Sequence, residues 1–196
     1  MITGILLAAG RSTRMGQPKL LLPWGNIQLV RHVAQIALRS VLDDLLVVTG
    51  HRAEHVQAAL AGLPVTLVHN EVFLDGQSTS VRAGIAALSD DAEAAVILLA
   101  DQPLLRSATI DALIQAYRAH HPPIVAPQYQ GQRGNPVLFD RMLFPALLAI
   151  QGDQGARPVL QAHRQQIHLV DVADNGVLLD LDTPDAYQQL WDRRQR

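Results

Sequence analysis

Five short apolar runs recur along this chain without internal alternation: residues 5–8, 45–48, 65–68, 95–99 and 124–126. A strand with one face in water alternates apolar and polar residues; a strand covered on both faces does not. Between the runs lie segments of helical period. Leu29, Val33, Ile36 and Ala37 share one face, as do Val56, Ala59 and Leu60, and then Val81, Ile85 and Leu88. Ile110, Leu113, Ile114 and Tyr117 follow i, i+3, i+4, i+7, with Ser107 expected as the N-cap. Strands alternating with helices imply an α/β fold, a mostly parallel central sheet with a helical layer on each face. Ligands in such sheets sit at the carboxyl ends of the strands.

With 196 residues, 48% of them hydrophobic, the chain can bury a large core. It is expected to form a single domain over residues 1–196. The net charge of -2 offers no basic field for nucleic acid or an anionic membrane. The absence of cysteine excludes disulfides, thiolate metal sites and a cysteine nucleophile. The first apolar run is too short for a signal peptide, and no run reaches the length of a membrane span. A cytoplasmic protein without nucleic-acid or membrane partners is expected.

The first run breaks into a loop carrying Gly10, Arg11, Ser12, Thr13, Arg14, Gly16 and Lys19. Small residues let the backbone approach a ligand and turn several N–H groups toward one point. Such a loop at the end of a strand suits phosphates. Lys19 is the only lysine; the other fifteen cationic residues are arginines. Lysine is a compact point charge on a flexible stem and arginine a planar fork. The lone lysine is therefore either a leftover surface cation or a charge placed on nucleotide phosphates.

The fourth run ends in Ala100-Asp101-Gln102-Pro103. A carboxylate directly after a buried strand suits a cleft better than a core, and Pro103 fixes an extended turn. Magnesium takes one or two carboxylates together with phosphate oxygens and water, so Asp101 is the first candidate metal ligand. Further on, Asp180-Leu181-Asp182-Thr183-Pro184 presents two acids on an extended segment. They are expected to point to opposite faces, with one on the cleft, and Asp182 is taken as that one. Gly76-Gln77-Ser78-Thr79-Ser80 opens a helix; its hydroxyls either cap the helix or read a base or ribose. The histidines form no ligand pattern. His51 and His55 lie four apart but outside any H-E-x-x-H.

The segment Leu7-Ala8-Ala9-Gly10-Arg11-Ser12-Thr13-Arg14-Met15-Gly16-Gln17-Pro18-Lys19 resembles the L-A-(A/G)-G-x-S-x-R-M-G-x-x-K signature of the MobA-like nucleotidyltransferases at every fixed position. Residues 76–84 resemble that family's G-x-x-x-S-(L/V)-x-x-G stretch, where base and sugar are bound, and Asp101 matches its metal-binding aspartate in D-x-P. Residues 180–185 resemble D-(I/L)-D-T-P-E-D, whose middle aspartate, here Asp182, lies near the metal. Arg133-Gly134-Asn135-Pro136-Val137-Leu138-Phe139 and Gly152-Asp153-Gln154-Gly155-Ala156-Arg157 are either ordinary turns or acceptor-facing segments. They resemble segments of one branch, the molybdenum cofactor cytidylyltransferases.

The resemblance implies a Rossmann-like fold with a nucleotide-binding half (1–105) and an acceptor-binding half (106–196). It implies nucleotide contacts from Leu7, Ala8, Ala9, Gly10, Ser12, Arg14, Lys19, Gln77, Ser78, Ser80 and Asp101, with Lys19, Arg14 and Asp101 catalytic. Asp101 and Asp182 hold Mg²⁺, and Asn135, Asp153 and Arg157, together with Arg133, face the acceptor. The implied reaction joins CMP from CTP to the phosphate of molybdenum-molybdopterin and releases pyrophosphate. A client molybdenum hydroxylase or its insertion chaperone is the protein partner this suggests. Ala9, where the guanylyltransferase branch usually has glycine, favours CTP. The alternatives are the GTP-using branch, a sugar- or alditol-phosphate nucleotidyltransferase, and a non-catalytic cofactor-binding or insertion protein.

Overall fold

A computed structural model describes residues 1–11 and 15–194, the last two by their backbone alone. Strand β1 (Ile2–Ala8) leads through a 3-10 turn (Lys19–Leu21) to a two-strand hairpin, β2 (Pro23–Trp24) and β3 (Ile27–Gln28). Then come α1 (Leu29–Leu38), β4 (Asp44–Thr49), α2 (Ala53–Leu60), β5 (Thr66–His69), α3 (Gln77–Ala86), β6 (Ala94–Leu99) and α4 (Ser107–His120). The second half adds β7 (Ile124–Tyr129), β8 (Gln132–Arg133), β9 (Val137–Asp140), α5 (Phe144–Leu148), α6 (Arg157–Ala162), β10 (Ile167–Asp171) and α7 (Pro184–Arg194).

The central sheet runs β10-β7-β9-β6-β1-β4-β5, with β8 paired to β7. Strands β5, β4, β1 and β6 are mutually parallel, as are β7 and β10, whereas β9 is antiparallel to both its neighbours. Both faces are covered, as the non-alternating strands require. Ile2, Leu6 and Ala8 of β1 pack toward α1, α2 and α4, while Ile5 packs toward α3, α5 and α6. Gly84 of α3 permits one of the closest approaches, because a Cβ there would collide with the Ile5 side chain. Among the described residues no helix is long and apolar enough to cross a membrane.

Among the elements, the structure departs from the sequence reading at β10, at the start of α4 and at the end of α3. Strand β10 had not been anticipated. It lies at the sheet edge, where Leu169 is 44% exposed, and its mixed residues lack the apolar signature of a covered strand. Ser107 is the first helical residue of α4 rather than its cap. The N-cap is Arg106, which supplies no capping side chain; Asp174 ties down the helix start instead, its carboxylate accepting from the Arg106 N–H and the Thr109 hydroxyl. Leu88 lies beyond the end of α3.

The antiparallel direction of β9 is what brings the second half of the chain to the site. Parallel strands β1, β4, β5 and β6 all end at one edge of the sheet. Because β9 runs the other way, it begins at that edge, with Val137 opposite Ile97 near the end of β6. The loop before it, Gly134 and Asn135, is held there by bonds from Gly134 N–H to the Pro127 carbonyl and from Asn135 N–H to the Val177 carbonyl.

Candidate active site

A cavity of about 1050 Å³ opens at the carboxyl edge of the parallel strands. It is lined by Leu7 of β1 with Ala9 and Gly10 after it, and by Leu99 at the end of β6 with Asp101 beyond. Lys19, Gln77 and Ser80 line it, and so do Arg133, Asn135, Asp153 and Arg157 from the second half. Residues from both halves of the chain therefore share one cavity.

Its electrostatic centre is Lys19. The Nζ donates to Asp101 Oδ2 at 2.5 Å and to Asp182 Oδ1 at 2.9 Å. The lysine and Asp101 side chains are only 13% and 19% exposed, and Asp182 is 38% exposed. Burial works against the lysine charge, but Asp101 and then Asp182 outweigh it, and the Lys19 pKa stands above its ordinary value. The ammonium is held charged between two carboxylates that converge on one cation. That donor chemistry fits Mg²⁺, which combines one or two carboxylates with phosphate oxygens and water. Among the described residues no cluster of three or more His, Asp or Glu suited to a metal occurs.

Asp180 and Asp182 both line the cavity, which corrects the expectation that they point to opposite faces. Residues two apart on an extended segment share a face. It is Leu181 between them that turns into the core, fully buried, with its N–H donating to the Asp101 carbonyl. Asp180 accepts from Gln102 Nε2 at 2.8 Å. Although the residue is exposed overall, polypeptide shields its carboxyl on one side. That loss of water, and then the charge of Asp101, raises its pKa. Gln102 was missed by sequence reasoning. It is 1% exposed, also donates to the Val177 carbonyl at 3.2 Å, and its Oε1 has no partner among the described residues. A polar residue directly after the Asp101 carboxylate was the available signal.

The start of α3 is built differently from the expectation. Its N-cap is Gly76, at φ +109, and the capping oxygens come from the second half of the chain. Gln77 N–H donates to Asp153 Oδ1 at 3.0 Å and Ser78 N–H to the Gly152 carbonyl at 3.2 Å. Ser78 is fully buried, does not line the cavity, and directs its hydroxyl to the Gln151 carbonyl at 3.1 Å. Ser80 does line the cavity, with its hydroxyl fixed by Asn70 Nδ2 at 3.0 Å. Asn70, a buried asparagine after β5, also went unnoticed. Ala8 is buried and lies off the cavity, whereas Leu7, Ala9 and Gly10 lie on it. Ser12 and Arg14 lie outside the described residues. Phe73 and Leu74 add apolar lining that the sequence does not mark, and Phe139 adds more.

A Rossmann-like sheet with a glycine loop after its first strand and paired carboxylates at the carboxyl edge defines a nucleotide-handling α/β protein. The model of the MobA-like NTP transferase domain matches residues 4–167. The chain belongs to this family of nucleotidyltransferases. Similar curated proteins include the purine catabolism protein PucB of Bacillus subtilis, 35% identical over 96% of this chain and 95% of its own length. The nicotine blue oxidoreductase of Paenarthrobacter nicotinovorans is 32% identical, covering 96% of each chain. The molybdenum cofactor cytidylyltransferase of Escherichia coli is 30% identical over 93% of this chain and 92% of its own.

Solved structures agree on the fold. A homologue of Mycobacterium tuberculosis Rv0371c from Mycobacterium sp. strain JC1 superposes with a TM-score of 0.88 at 30% identity, covering 100% of this chain and 98% of the other. Rv0371c itself in complex with manganese gives 0.84 at 32%, covering 97% and 98%. A nucleotidyl transferase from Methanothermobacter thermautotrophicus gives 0.86 at 25%, covering 100% and 99%.

Proposed function

We propose that the protein is a Mg²⁺-dependent molybdenum cofactor cytidylyltransferase. It would transfer CMP from CTP to the phosphate of molybdenum-molybdopterin and release pyrophosphate. One observation carries this reading: Lys19, Asp101 and Asp182 share a cavity with Arg133, Asn135 and Arg157. A triphosphate over residues 10–19 and an anionic acceptor near the two arginines would then meet in one place. The similarity to the cytidylyltransferase of E. coli supports the choice of acceptor. Ala9 supports the choice of CTP, because it lines the cavity at the position where the guanylyltransferase branch usually has glycine.

The acceptor's phosphate oxygen forms a bond to the α-phosphorus as the bond from that phosphorus to the bridging oxygen of pyrophosphate breaks. A phosphate monoester is largely ionised near neutral pH, so no strong general base is required. Lys19 neutralises charge on the phosphates, and Gly10 lets the backbone approach them. Asp101 and Asp182 would hold the metal, whose contribution is to neutralise phosphate charge and fix the triphosphate's geometry. Arg133 and Arg157 orient the acceptor. Catalysis is then mainly positioning and charge stabilisation.

Pyrophosphate release from CTP, Mg²⁺ and the molybdenum cofactor tests the reading. Asp101→Asn is expected to reduce turnover about a hundredfold or more while leaving a folded protein. Calorimetry against CTP, GTP, ATP and UTP should show a preference for CTP that Lys19→Ala weakens. A preference for GTP would move the protein to the guanylyltransferase branch. Nucleotide binding without turnover on any acceptor would instead favour the non-catalytic reading.

A further inference from the structure

The same ammonium that is assigned to the phosphates is, in this structure, lodged between the carboxylates assigned to the metal. Lys19 Nζ is 2.5 Å from Asp101 Oδ2 and 2.9 Å from Asp182 Oδ1. A divalent cation bound by both oxygens would have to lie between them, in the space that Nζ now fills. We propose that Lys19 and a divalent cation are alternative occupants of the Asp101–Asp182 pair. Metal is admitted to the pair as the ammonium moves off, and the phosphates of the incoming nucleotide supply its new partner. The inference deepens the proposed function and rests on it for the nucleotide's part.

Three observations favour an exchange over a fixed ion pair. The two carboxylates sit on separate loops, after β6 and before α7, and would repel one another without a cation between them. Lys19 bonds to both of them. Its backbone opens a three-residue 3-10 turn preceded by Pro18, so the long side chain can swing without moving a core element. Finally, the residue is the chain's single lysine among fifteen arginines. An arginine fork would grip a carboxylate through two parallel hydrogen bonds; a point charge on a flexible stem releases one more readily. One consequence is order: without nucleotide the metal must compete with the ammonium and binds the pair weakly, and nucleotide arrival favours its loading.

The test uses Mn²⁺ as the probe, without nucleotide, on the wild type and on Lys19→Met. Free Mn²⁺ is measured by electron paramagnetic resonance. Lys19→Met is expected to bind Mn²⁺ about tenfold or more tightly than the wild type, and Lys19→Met/Asp101→Asn to lose that gain. Equal or weaker binding by Lys19→Met overturns the proposal. A second measurement needs no variant. Because the chain has one lysine, protein grown with ¹⁵Nζ-lysine gives a single side-chain ammonium signal. That signal is expected to be protected from exchange in the free protein and to shift and lose protection on saturation with Mg²⁺. An unmoved, still protected signal at saturating Mg²⁺ overturns the proposal. Calorimetry with CTP is run alongside. Failure of CTP to bind counts against the proposed function, whereas the metal-only results judge the exchange by themselves.

Discussion

Tyr117 shows how one buried hydroxyl couples stability to pH. Its O–H donates to Asp140 Oδ2 at 2.6 Å while the ring is 2% exposed. Burial, and then the bond to and charge of Asp140, push its pKa well above the ordinary 10.0. The folded protein therefore keeps this proton more tightly than the unfolded chain. The stability it contributes is complete below pH 10 and declines as pH rises past that value toward the folded pKa. Tyr117→Phe is expected to lose about 1.5–3 kcal/mol at pH 7, the range for a hydrogen bond to a charged group. The gap to the wild type should narrow above pH 10, as followed by urea unfolding across pH. At the same scale, Asp101 was legible in the sequence because a carboxylate after a covered strand has no place in the core. Gln102 was not, because only the folded chain puts Asp180 beside it.

At the scale of elements, the start of α3 and the 151–155 loop are locked together. Gly76 sits at φ +109, and a Cβ there would stand 2.5 Å from the Gly152 carbonyl oxygen. Gly76→Ala is expected to cost about 1–3 kcal/mol through strain and forced separation. It should also weaken nucleotide binding, because Gln77 and Ser80 are displaced with the helix start; thermal unfolding and calorimetry measure the two effects. Asp153→Ala removes the oxygen that accepts from Gln77 N–H. The expected loss is about 0.5–2 kcal/mol, with faster amide exchange confined to the first turn of α3. The sequence displayed both segments as glycine-rich turns. It gave no sign that each completes the other, since the bonds between them span more than seventy residues.

For the whole molecule, the shared cavity predicts that ligand binding stabilises the fold. CTP with Mg²⁺ at about a hundred times its dissociation constant should add about 2.7 kcal/mol. For a chain of this size that is about 5–10 °C in Tm. Lys19→Ala should abolish most of the shift, and differential scanning fluorimetry reads both.

The sequence by itself determined the α/β alternation, the covered sheet and the family. Each of these depends on local signals: apolar runs, helical periods, and a motif compact enough to survive as consecutive residues. It also grouped Lys19, Asp101 and Asp182: Lys19 and Asp101 through loops that follow covered strands, and Asp182 through its resemblance to the family's D-(I/L)-D-T-P-E-D segment. Only the tertiary structure decided that β9 runs antiparallel and so delivers Arg133 and Asn135 to the cavity. Strand direction is set by which edge is left open for pairing, a property of the assembled sheet. It likewise decided that Leu181 takes the core while both neighbouring aspartates face the cavity, and that an aspartate from the second half caps α3. Those outcomes depend on which surfaces are buried together, and burial is settled only when the whole chain has packed.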